Sequence, residues 1–384
     1  MRLRVLYFVS VYGEGATAMQ TQTIIAQHNS GAGDYHAVSG EKEQQPGLFR
    51  RLKEAGIPLW VLRGLDRRKD FLRLSQELRR VLAAVQPDVV HVHSNWQLAL
   101  AAVTRRKAER PFQIVYSMHG YRNHQRFRRL IAKPMIELEL AALADHVIQP
   151  SLCVWRQFRR VQSKSSIVYQ GVDDDFYAGA AIPEFATPKR LVFPGKFRTG
   201  KNQDWAIRAL RSYIDRTGDA QVRLFLPGEG PLLGRCRKLA ASLGLEANVI
   251  FPGFLTREAM LELYRTCSYV VVPSRDETFG NCIAEAFTLG RVLFTRRVGV
   301  AEEIVKDGVT GFLFESKEDL AEKLVRCLPD LALCRSVSQR CLAANGVFRL
   351  TELTELVTAI YQRLASGENA GASGTRQSFA GDSG

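Results

Sequence analysis

Short apolar segments recur along the chain, and stretches with apolar residues at helical spacing separate them. The first series of predicted strands covers 5–11, 58–62, 89–92, 113–118, 146–149 and 167–169. A second series covers 190–193, 222–226, 249–251, 269–272, 292–295 and 312–314. Because strands that alternate with helices are typical of βαβ units and a parallel sheet, the pattern predicts an α/β protein with two Rossmann-like domains.

The break between the two series predicts the domain boundaries. Residues 178–188 are rich in Ala, Pro and Gly and are interpreted as a linker, so the first domain covers 1–177 and the second 189–345. An apolar stripe then predicts a helix over 346–365. The stripe consists of Val347, Leu350, Leu353, Val357, Ile360 and Leu364. Residues 366–384 contain few large apolar side chains, which is typical of a disordered tail.

The most informative stretch runs from the strand 269–272 through a loop into a helix that begins near Asn281. Open α/β sheets bind ligands at the carboxyl ends of strands, beside helix N-termini whose N–H groups attract anions. Gly280 lets a phosphate approach the backbone, while Glu277 and Glu285 can accept hydrogen bonds from hydroxyls on either side of it. The stretch therefore predicts a sugar–phosphate–sugar ligand. The alternative is that both glutamates are ordinary solvated acids at a helix start, where acids are favoured.

Four predicted strands of the second series end in a proline followed by a small residue. These pairs are Pro194–Gly195, Pro227–Gly228, Pro252–Gly253 and Pro273–Ser274. The proline removes a ladder donor and the small residue opens space at the carboxyl edge, so the four ends are expected to line one cleft. The alternative is that they only terminate the strands.

Glycines and histidines mark the carboxyl ends of strands in the first half. Gly15 follows the first strand and precedes a helix, the position of a turn that approaches phosphates. His91 and His93 alternate on a strand and should face one side, and no cysteine or acidic ligand lies near them in sequence, which disfavours a metal. His119 ends the strand 113–118 at the edge of a predicted cleft. It is either a functional residue or a structural histidine.

Glu277-x7-Glu285, with Phe279-Gly280 inside it, resembles the donor-binding signature of the retaining glycosyltransferases of family 4, which have the GT-B fold. The resemblance is stronger over 190–315 than over 1–175. It implies two Rossmann-like domains that face a cleft, and a C-terminal helix that crosses back to the first domain. It also implies that Glu277 contacts donor-sugar hydroxyls, that Glu285 holds the ribose, and that the backbone from Phe279 through Gly280 to Asn281 binds the diphosphate.

The same resemblance extends to other elements of the chain. Lys196 and Lys201 match a pair of cations that clamp the diphosphate, with Lys196 in place of the usual arginine. The Gly253-Phe254 element lies where the family places its base-binding backbone. The glycine-rich loop at Gly15 approaches the donor phosphates, although Glu14 departs from the family's adjacent glycines. His119 matches a histidine near the donor sugar, so the implied catalytic residues are His119, Glu277 and Lys201.

The resemblance implies transfer of a sugar from a nucleoside-diphosphate donor to an acceptor hydroxyl, with retention of anomeric configuration. No metal or other cofactor is expected, because Lys196, Lys201 and helix-end amides would neutralise the diphosphate. The leaving phosphate oxygen takes the acceptor proton, so no protein nucleophile is required. Two other functions stay open: a nucleotide-sugar epimerase of the same fold, and a basic nucleic-acid-binding protein, for which the arginines form no recognised reader motif.

Composition limits the class of protein. The 384 residues, 46% of them hydrophobic, suffice for two domain cores. No apolar run reaches the roughly 18 residues of a membrane span, and no cleavage-type signal follows the first strand, which predicts a cytoplasmic protein. The seven cysteines are odd in number and form no C-x2-C pair, which favours reduced structural thiols.

The net charge of +14 suggests an anionic partner. Nine Lys or Arg residues lie between Arg105 and Lys133, against the single acid Glu109, and Tyr121, Phe127, Leu130 and Ile131 interleave with them. This pattern predicts peripheral docking on the anionic inner face of a membrane, with a lipid-linked glycan or lipopolysaccharide precursor as acceptor. The alternative is a solvated basic surface and a soluble acceptor.

Overall fold

A computed structural model of the chain describes residues 2–9, 14–42, 47–65, 70–119 and 126–368, except for the side chains of 14–19 and 126–131. The chain folds into two compact units. The N-terminal unit comprises Met1–Gly171 together with Leu350–Gln377, and the C-terminal unit contains Val172–Arg349.

The N-terminal unit alternates strands and helices. Its elements in chain order are β1 (Leu3–Phe8), α1 (Glu14–Asn29), β2 (Gly33–Ser39), α2 (Leu48–Glu54), β3 (Leu59–Val61), α3 (Phe71–Val85), β4 (Val89–Val92), α4 (Asn95–Arg105), β5 (Gln113–Ser117), α5 (Arg126–Leu143), β6 (His146–Gln149), α6 (Leu152–Trp155), a 3-10 helix (Arg159–Lys164) and β7 (Ser165–Ile167). The strands form one parallel sheet in the order β3-β2-β1-β4-β5-β6-β7. The apolar runs of β1 and β4 are buried because helices cover a parallel sheet on both faces.

The C-terminal unit repeats this plan. Its elements are α7 (Asp174–Ala178), β8 (Arg190–Val192), α8 (Gln203–Thr217), β9 (Arg223–Phe225), α9 (Leu233–Ser242), β10 (Val249–Ile250), α10 (Arg257–Thr266), β11 (Tyr269–Val272), α11 (Asn281–Thr288), β12 (Val292–Thr295), α12 (Ala301–Ile304), β13 (Phe312–Leu313), α13 (Lys317–Cys327), α14 (Leu331–Ala343) and a 3-10 helix (Asn345–Phe348). The parallel strand order is β10-β9-β8-β11-β12-β13. The order therefore reverses between β8 and β11, as it does between β1 and β4, and such a reversal is where doubly wound sheets bind ligands.

All twelve predicted strands exist, although several are shorter or shifted. The first begins at Leu3 rather than Val5, and the strand expected over 167–169 is β7, Ser165–Ile167. The strand β2 was missed. Its sequence opens with Gly33 and Asp34, which are poor strand formers, yet it pairs with β1 from Gly33 to Val38. Gly33 permits this pairing because a Cβ there would lie 2.9 Å from the carbonyl oxygen of Leu3.

The last helix, α15 (Leu350–Ala365), belongs to the N-terminal unit and packs on α1, β1 and β4. Its buried face is the predicted stripe at Leu353, Val357 and Ile360, to which Tyr361 is added. The expected return of the chain to the first unit is confirmed. Most of the predicted tail, 369–384, lies outside the described residues. Among the described helices, none is both long and apolar enough to cross a membrane.

Candidate functional site

The four strands that end in proline and a small residue are the four neighbours β10, β9, β8 and β11. Their carboxyl ends therefore meet at one edge of the C-terminal sheet. Backbone hydrogen bonds join the loops: the Gly195 N–H donates to the Pro227 carbonyl at 3.1 Å, and the Gly228 N–H donates to the Gly253 carbonyl at 2.7 Å. The four ends therefore meet at one edge as expected, and that they line a cleft stays a prediction.

Two glycines set the shape of this edge. Gly228 has φ +129° and Gly230 has φ +145°, which side chains rarely adopt. A Cβ on Gly228 would lie 2.3 Å from the Gly195 carbonyl oxygen, and one on Gly230 would lie 2.4 Å from that of Phe197. The loop after β9 is therefore in backbone contact with the loop after β8, with no room for side chains between them.

An ion pair spans the point where the strand order reverses. Lys201 follows β8, Glu277 follows β11, and the Lys201 Nζ and the Glu277 Oε1 lie 2.5 Å apart. The two side chains are only 13% and 10% exposed. Their loops are also tied by the backbone, since the Arg275 N–H donates to the Gly200 carbonyl at 2.7 Å. The structure thus brings together two of the predicted catalytic residues, while Lys196 lies exposed on the same loop.

The start of α11 has the backbone geometry that the predicted phosphate cradle requires. Gly280 precedes the helix with φ +93°, and its carbonyl accepts the first intrahelical bond, from Ile283. The N–H groups of Asn281 and Cys282 then have no carbonyl of a preceding turn to bind, which favours an anion. The Phe279 ring is buried edge-on against Phe348 at 5.9 Å, so only its backbone is available to a ligand.

The loop that precedes α12 contacts the loop that precedes α11. The Phe279 carbonyl accepts a hydrogen bond from the Val300 N–H at 2.8 Å. Gly299 makes this possible, because it has φ +53° and a Cβ there would lie 2.1 Å from the Phe279 carbonyl oxygen. A side chain at this position would push the loop that carries Glu277 away from the sheet.

Glu285 lies one turn into α11 and is half-buried. Its Oε2 accepts a hydrogen bond from the Tyr264 hydroxyl at 2.9 Å. Burial raises the pKa of Glu285, while the Tyr264 hydroxyl and the charge of Arg257 act in the opposite direction. Since Glu277 is in a buried ion pair, neither glutamate is the freely solvated acid of the alternative interpretation.

The structure describes three other predicted donor-binding residues, Gly253, Phe254 and Gly15, only by their backbone conformation or their exposed surface. Gly253 has φ +81° and its carbonyl accepts the bond from Gly228, and Phe254 follows it with 64% of its surface exposed. Gly15 lies in the first turn of α1, where only the backbone is described, and Gly13 lies outside the described residues.

In the N-terminal unit, three histidines gather at the carboxyl ends of β4 and β5. The His93 Nδ1 and the His119 Nε2 are hydrogen-bonded at 2.8 Å. The neighbouring His91 bonds the Ser117 hydroxyl through Nε2 at 2.7 Å and the Tyr361 hydroxyl through Nδ1. The prediction that His91 and His93 face one side is confirmed by their ring centroids, which lie 4.4 Å apart with the ring planes tilted by 34°. Sequence reasoning missed the His93–His119 contact, because it depends on the pairing of β4 with β5.

Burial keeps these imidazoles neutral. It lowers the pKa of His119 to about 4, and it lowers the pKa values of His91 and His93 well below the ordinary value, with the neighbouring histidines adding to the shift. His119 lines a cavity of about 60 Å³ together with His91, Gln20 and Thr23. The Gln20 amide is buried and has no hydrogen-bond partner among the described residues. The cavity is therefore polar enough on this side to hold water or a hydroxyl group.

The predicted basic segment is partly neutralised by acids from outside it. Arg105 forms an ion pair with Asp145, and Arg110 pairs with Asp88 at 2.5 Å. Two of the nine cations of the segment are therefore paired with acids that the sequence count did not include, and membrane docking stays a prediction. Arg122 lies outside the described residues, as do the side chains of 126–131.

Two family models match the chain. One is described as "Glycosyltransferase Family 4" and matches residues 33–176, and the other is described as "Glycosyl transferases group 1" and matches residues 180–340. The first match lies in the N-terminal unit apart from its last residues, and the second lies in the C-terminal unit with the four joined loops and both glutamates.

Individual proteins agree with these models. D-inositol 3-phosphate glycosyltransferase of Streptomyces avermitilis is 27% identical over 228 residues, which cover 54% of this chain and 49% of that protein. The chain spans about half the length or less of most of the curated relatives that it matches.

Solved structures show the same fold. Anabaena HepE in complex with UDP has a TM-score of 0.77 at 20% identity, covering 94% of this chain and 100% of that one. The lipopolysaccharide outer core galactosyltransferase WaaB in its apo form has a TM-score of 0.68 at 17% identity, covering 95% and 99%.

The buried neutral histidines make the protein acid-sensitive. Burial lowers the pKa of His146 to about 4, with Arg363 and Lys164 adding to the effect, whereas an unfolded histidine titrates near 6.5. Between these values the unfolded chain binds a proton that the folded chain does not, so the free energy of unfolding falls as pH falls. At pH 5 the loss is about 2 kcal/mol for one such histidine. Urea unfolding at pH 7.5 and 5.0 should therefore show a smaller loss for His146→Gln than for wild type, and equal losses would contradict the assignment.

Proposed function

The chain belongs to the family 4 glycosyltransferases, which have the GT-B fold, and we propose on this basis that it transfers a sugar from a nucleoside-diphosphate donor to an acceptor hydroxyl. The transfer retains the configuration of the anomeric carbon. The observation that carries the proposal is the Lys201–Glu277 ion pair beside the start of α11, at the reversal of strand order. A cation, a carboxylate and unpaired helix N–H groups at one edge match the parts of a sugar diphosphate.

Each part of the donor has a proposed partner in the C-terminal unit. The diphosphate binds Lys196, Lys201 and the backbone at Gly280 and Asn281. Because a phosphate competes with Glu277 for the Lys201 ammonium, donor binding frees the Glu277 carboxylate to accept hydrogen bonds from sugar hydroxyls. Glu285, held by the Tyr264 hydroxyl, accepts hydrogen bonds from the ribose. The base lies at the loop of Gly253 and Phe254.

The reaction needs no protein nucleophile. The bond between the anomeric carbon and the phosphate oxygen breaks, the acceptor oxygen bonds the same carbon from the same face, and the leaving phosphate oxygen takes the acceptor proton. His119 positions the donor sugar by a hydrogen bond. This role is supported by its neutral state, because an imidazole whose pKa is about 4 is a weak base near neutral pH.

We also propose that the transfer needs no divalent metal. The ammonium groups of Lys196 and Lys201 supply the positive charge that a divalent metal would otherwise bring to the diphosphate. The run Asp173, Asp174 and Asp175 contains the letters of an Asp-x-Asp metal motif but has other surroundings. Asp173, which from the sequence alone would be expected to be solvated after its Gly-Val turn, instead forms an ion pair with Arg257, and the other two begin α7.

The acceptor is a glycan or a lipid-linked sugar of the cell surface, such as a lipopolysaccharide or polysaccharide precursor. The fold is shared with a protein named as a lipopolysaccharide outer core galactosyltransferase, and with HepE bound to UDP-glucose. A relative is named for D-inositol 3-phosphate, which has free hydroxyls. These names support a sugar-hydroxyl acceptor and a uridine nucleotide among the first donors to test.

An activity assay tests the reaction directly. The protein is incubated with a panel of nucleotide sugars and glycan acceptors, and nucleoside diphosphate release and the anomeric signal of the product are measured by NMR. We expect an acceptor-dependent product with the donor's configuration, unchanged turnover in EDTA, and a rate about 10²-fold or more lower for Lys201→Met. Isomerisation of the donor without transfer would favour the epimerase instead. Loss of turnover in EDTA that Mg²⁺ restores would contradict the metal-independent mechanism.

Peripheral binding to an anionic membrane is a separate proposal, supported by the cations of the 105–133 segment that the structure leaves exposed, Arg106 and Lys107 among them. Each cation near an anionic leaflet contributes about 1 kcal/mol. Flotation with phosphatidylserine vesicles should carry the wild-type protein at low salt. The triple variant Arg126→Ala, Arg128→Ala, Arg129→Ala should float less.

The control for this experiment removes an equal charge elsewhere. Arg235, Arg237 and Lys238 are exposed on α9 of the C-terminal unit, and their triple alanine variant should float like wild type. Equal flotation with neutral and anionic vesicles, or equal loss in both triple variants, would contradict docking through the 105–133 segment.

A further inference from the structure

The His93–His119 hydrogen bond limits the protonation states that the pair can adopt. Its two nitrogens, the His93 Nδ1 and the His119 Nε2, lie 2.8 Å apart, so one of them carries the shared hydrogen and the other accepts it. Burial keeps both rings neutral, and each therefore has one N–H in total. The choice of donor in this bond decides which nitrogen of each ring is protonated.

The surroundings of the two outer nitrogens differ. The His93 Nε2 is buried and has no hydrogen-bond partner among the described residues, and the His93 ring, 5% exposed, lies against the rings of Tyr7 and His91 at 4.8 and 4.4 Å. A hydrogen on the His93 Nε2 would make it a buried donor with no acceptor, and such unpaired buried donors are rare in proteins. The His119 Nδ1 is also buried and lacks a partner among those residues, but the His119 ring, unlike that of His93, lines the cavity, where a ligand or water can approach the ring.

We propose that His93 is a positioning residue that donates its Nδ1–H to the His119 Nε2 and thereby fixes His119 as the tautomer with a hydrogen on Nδ1. This inference rests on the proposed function and deepens it. His119 then presents a hydrogen-bond donor, and the atom that it recognises is an oxygen lone pair on the sugar. It does not present a basic nitrogen to the acceptor hydroxyl.

The rest of the cluster holds His93 in place. Its backbone N–H donates to the Gln97 Oε1 at 2.8 Å, and His93 directly follows β4, which ends at Val92. The neighbouring His91 ring is hydrogen-bonded through both of its nitrogens, to the Ser117 and Tyr361 hydroxyls. These bonds fix the ring against which His93 packs. The proton position on His119 is therefore set from the core of the N-terminal unit.

Two variants of His93 with the same side-chain branching distinguish the effect of the hydrogen bond from the effect of packing. In His93→Asn the amide nitrogen attached to Cγ takes the place of Nδ1 and still donates, whereas His93→Leu has the same branching and no donor. Two-bond ¹H–¹⁵N NMR spectra report histidine tautomers directly, and the His119 signals among the seven histidines are assigned by their absence in His119→Gln. We expect the Nδ1–H form in wild type and His93→Asn, and the Nε2–H form in His93→Leu.

Turnover with UDP-glucose, or with whichever nucleotide sugar the protein uses, should follow the same order. For His93→Leu we expect kcat to fall about tenfold, the value of one hydrogen bond, with the acceptor KM unchanged, and for His93→Asn we expect recovery of most of that loss. Ser117→Ala is the control, since it removes a bond to His91 and leaves the His93–His119 contact, so the His119 tautomer should not change.

The two measurements keep the inference and the proposed function distinct. An Nε2–H tautomer of His119 in wild type, or an Nδ1–H tautomer that persists in a folded His93→Leu protein, would overturn the positioning role. The expected tautomers in a protein that transfers no sugar from any donor would support the positioning role and contradict the proposed reaction alone.

Discussion

The buried ion pair between Lys201 and Glu277 is the interaction on which the C-terminal site depends. It joins the loops on either side of the reversal in strand order, where the connections of two neighbouring strands run in opposite directions and doubly wound sheets have a crevice. Two charges held so far from water pay a desolvation cost that their attraction only partly offsets. The pair is therefore weak evidence for stability, which is consistent with its proposed role in binding the donor. An anion that bonds Lys201 releases a carboxylate suited to hydroxyl groups.

The surrounding backbone makes this arrangement rigid. Gly228, Gly230 and Gly299 each bring one loop into contact with another at a distance that no Cβ would allow. The contacts leave the loops few ways to rearrange without disrupting their neighbours. The carboxylate, the ammonium and the N–H groups of α11 are thus held on elements that the sheet positions. Such preorganisation places charges before a ligand arrives, when reorganisation would otherwise oppose binding.

The two units differ in the charge of the side chains at the centre of their candidate sites. In the C-terminal unit the central groups are an ion pair and a half-buried glutamate held by a tyrosine hydroxyl. In the N-terminal unit the central groups are three imidazoles that burial keeps neutral. The first arrangement suits the charged diphosphate and the hydroxyl groups that donate to carboxylates. The second suits hydrogen bonding to uncharged sugar atoms, with no proton exchanged near neutral pH.

The sequence predicts much of this because the relevant signals are local. The β-branched run of β11, the glycine before α11 and the four proline-terminated strands can each be recognised within a few residues. The missed features depend on pairing between distant segments. The strand β2 has a weak sequence of its own and forms because β1 and β3 flank it. The contacts of His93 with His119, Lys201 with Glu277 and Tyr264 with Glu285 arise only when separate loops meet.

The central claim is that two carboxylates of one site bind different parts of the donor, Glu285 the ribose of the nucleotide and Glu277 the transferred sugar. Calorimetric titration of UDP into wild type, Glu285→Gln and Glu277→Gln tests it most directly. Glu285→Gln should bind UDP more weakly, because the ribose loses a charged acceptor. Glu277→Gln should bind UDP at least as tightly as wild type, since the carboxylate that competes with phosphate for Lys201 is gone. Equal affinity of Glu285→Gln and wild type, or a loss in Glu277→Gln as large as that in Glu285→Gln, would contradict the account.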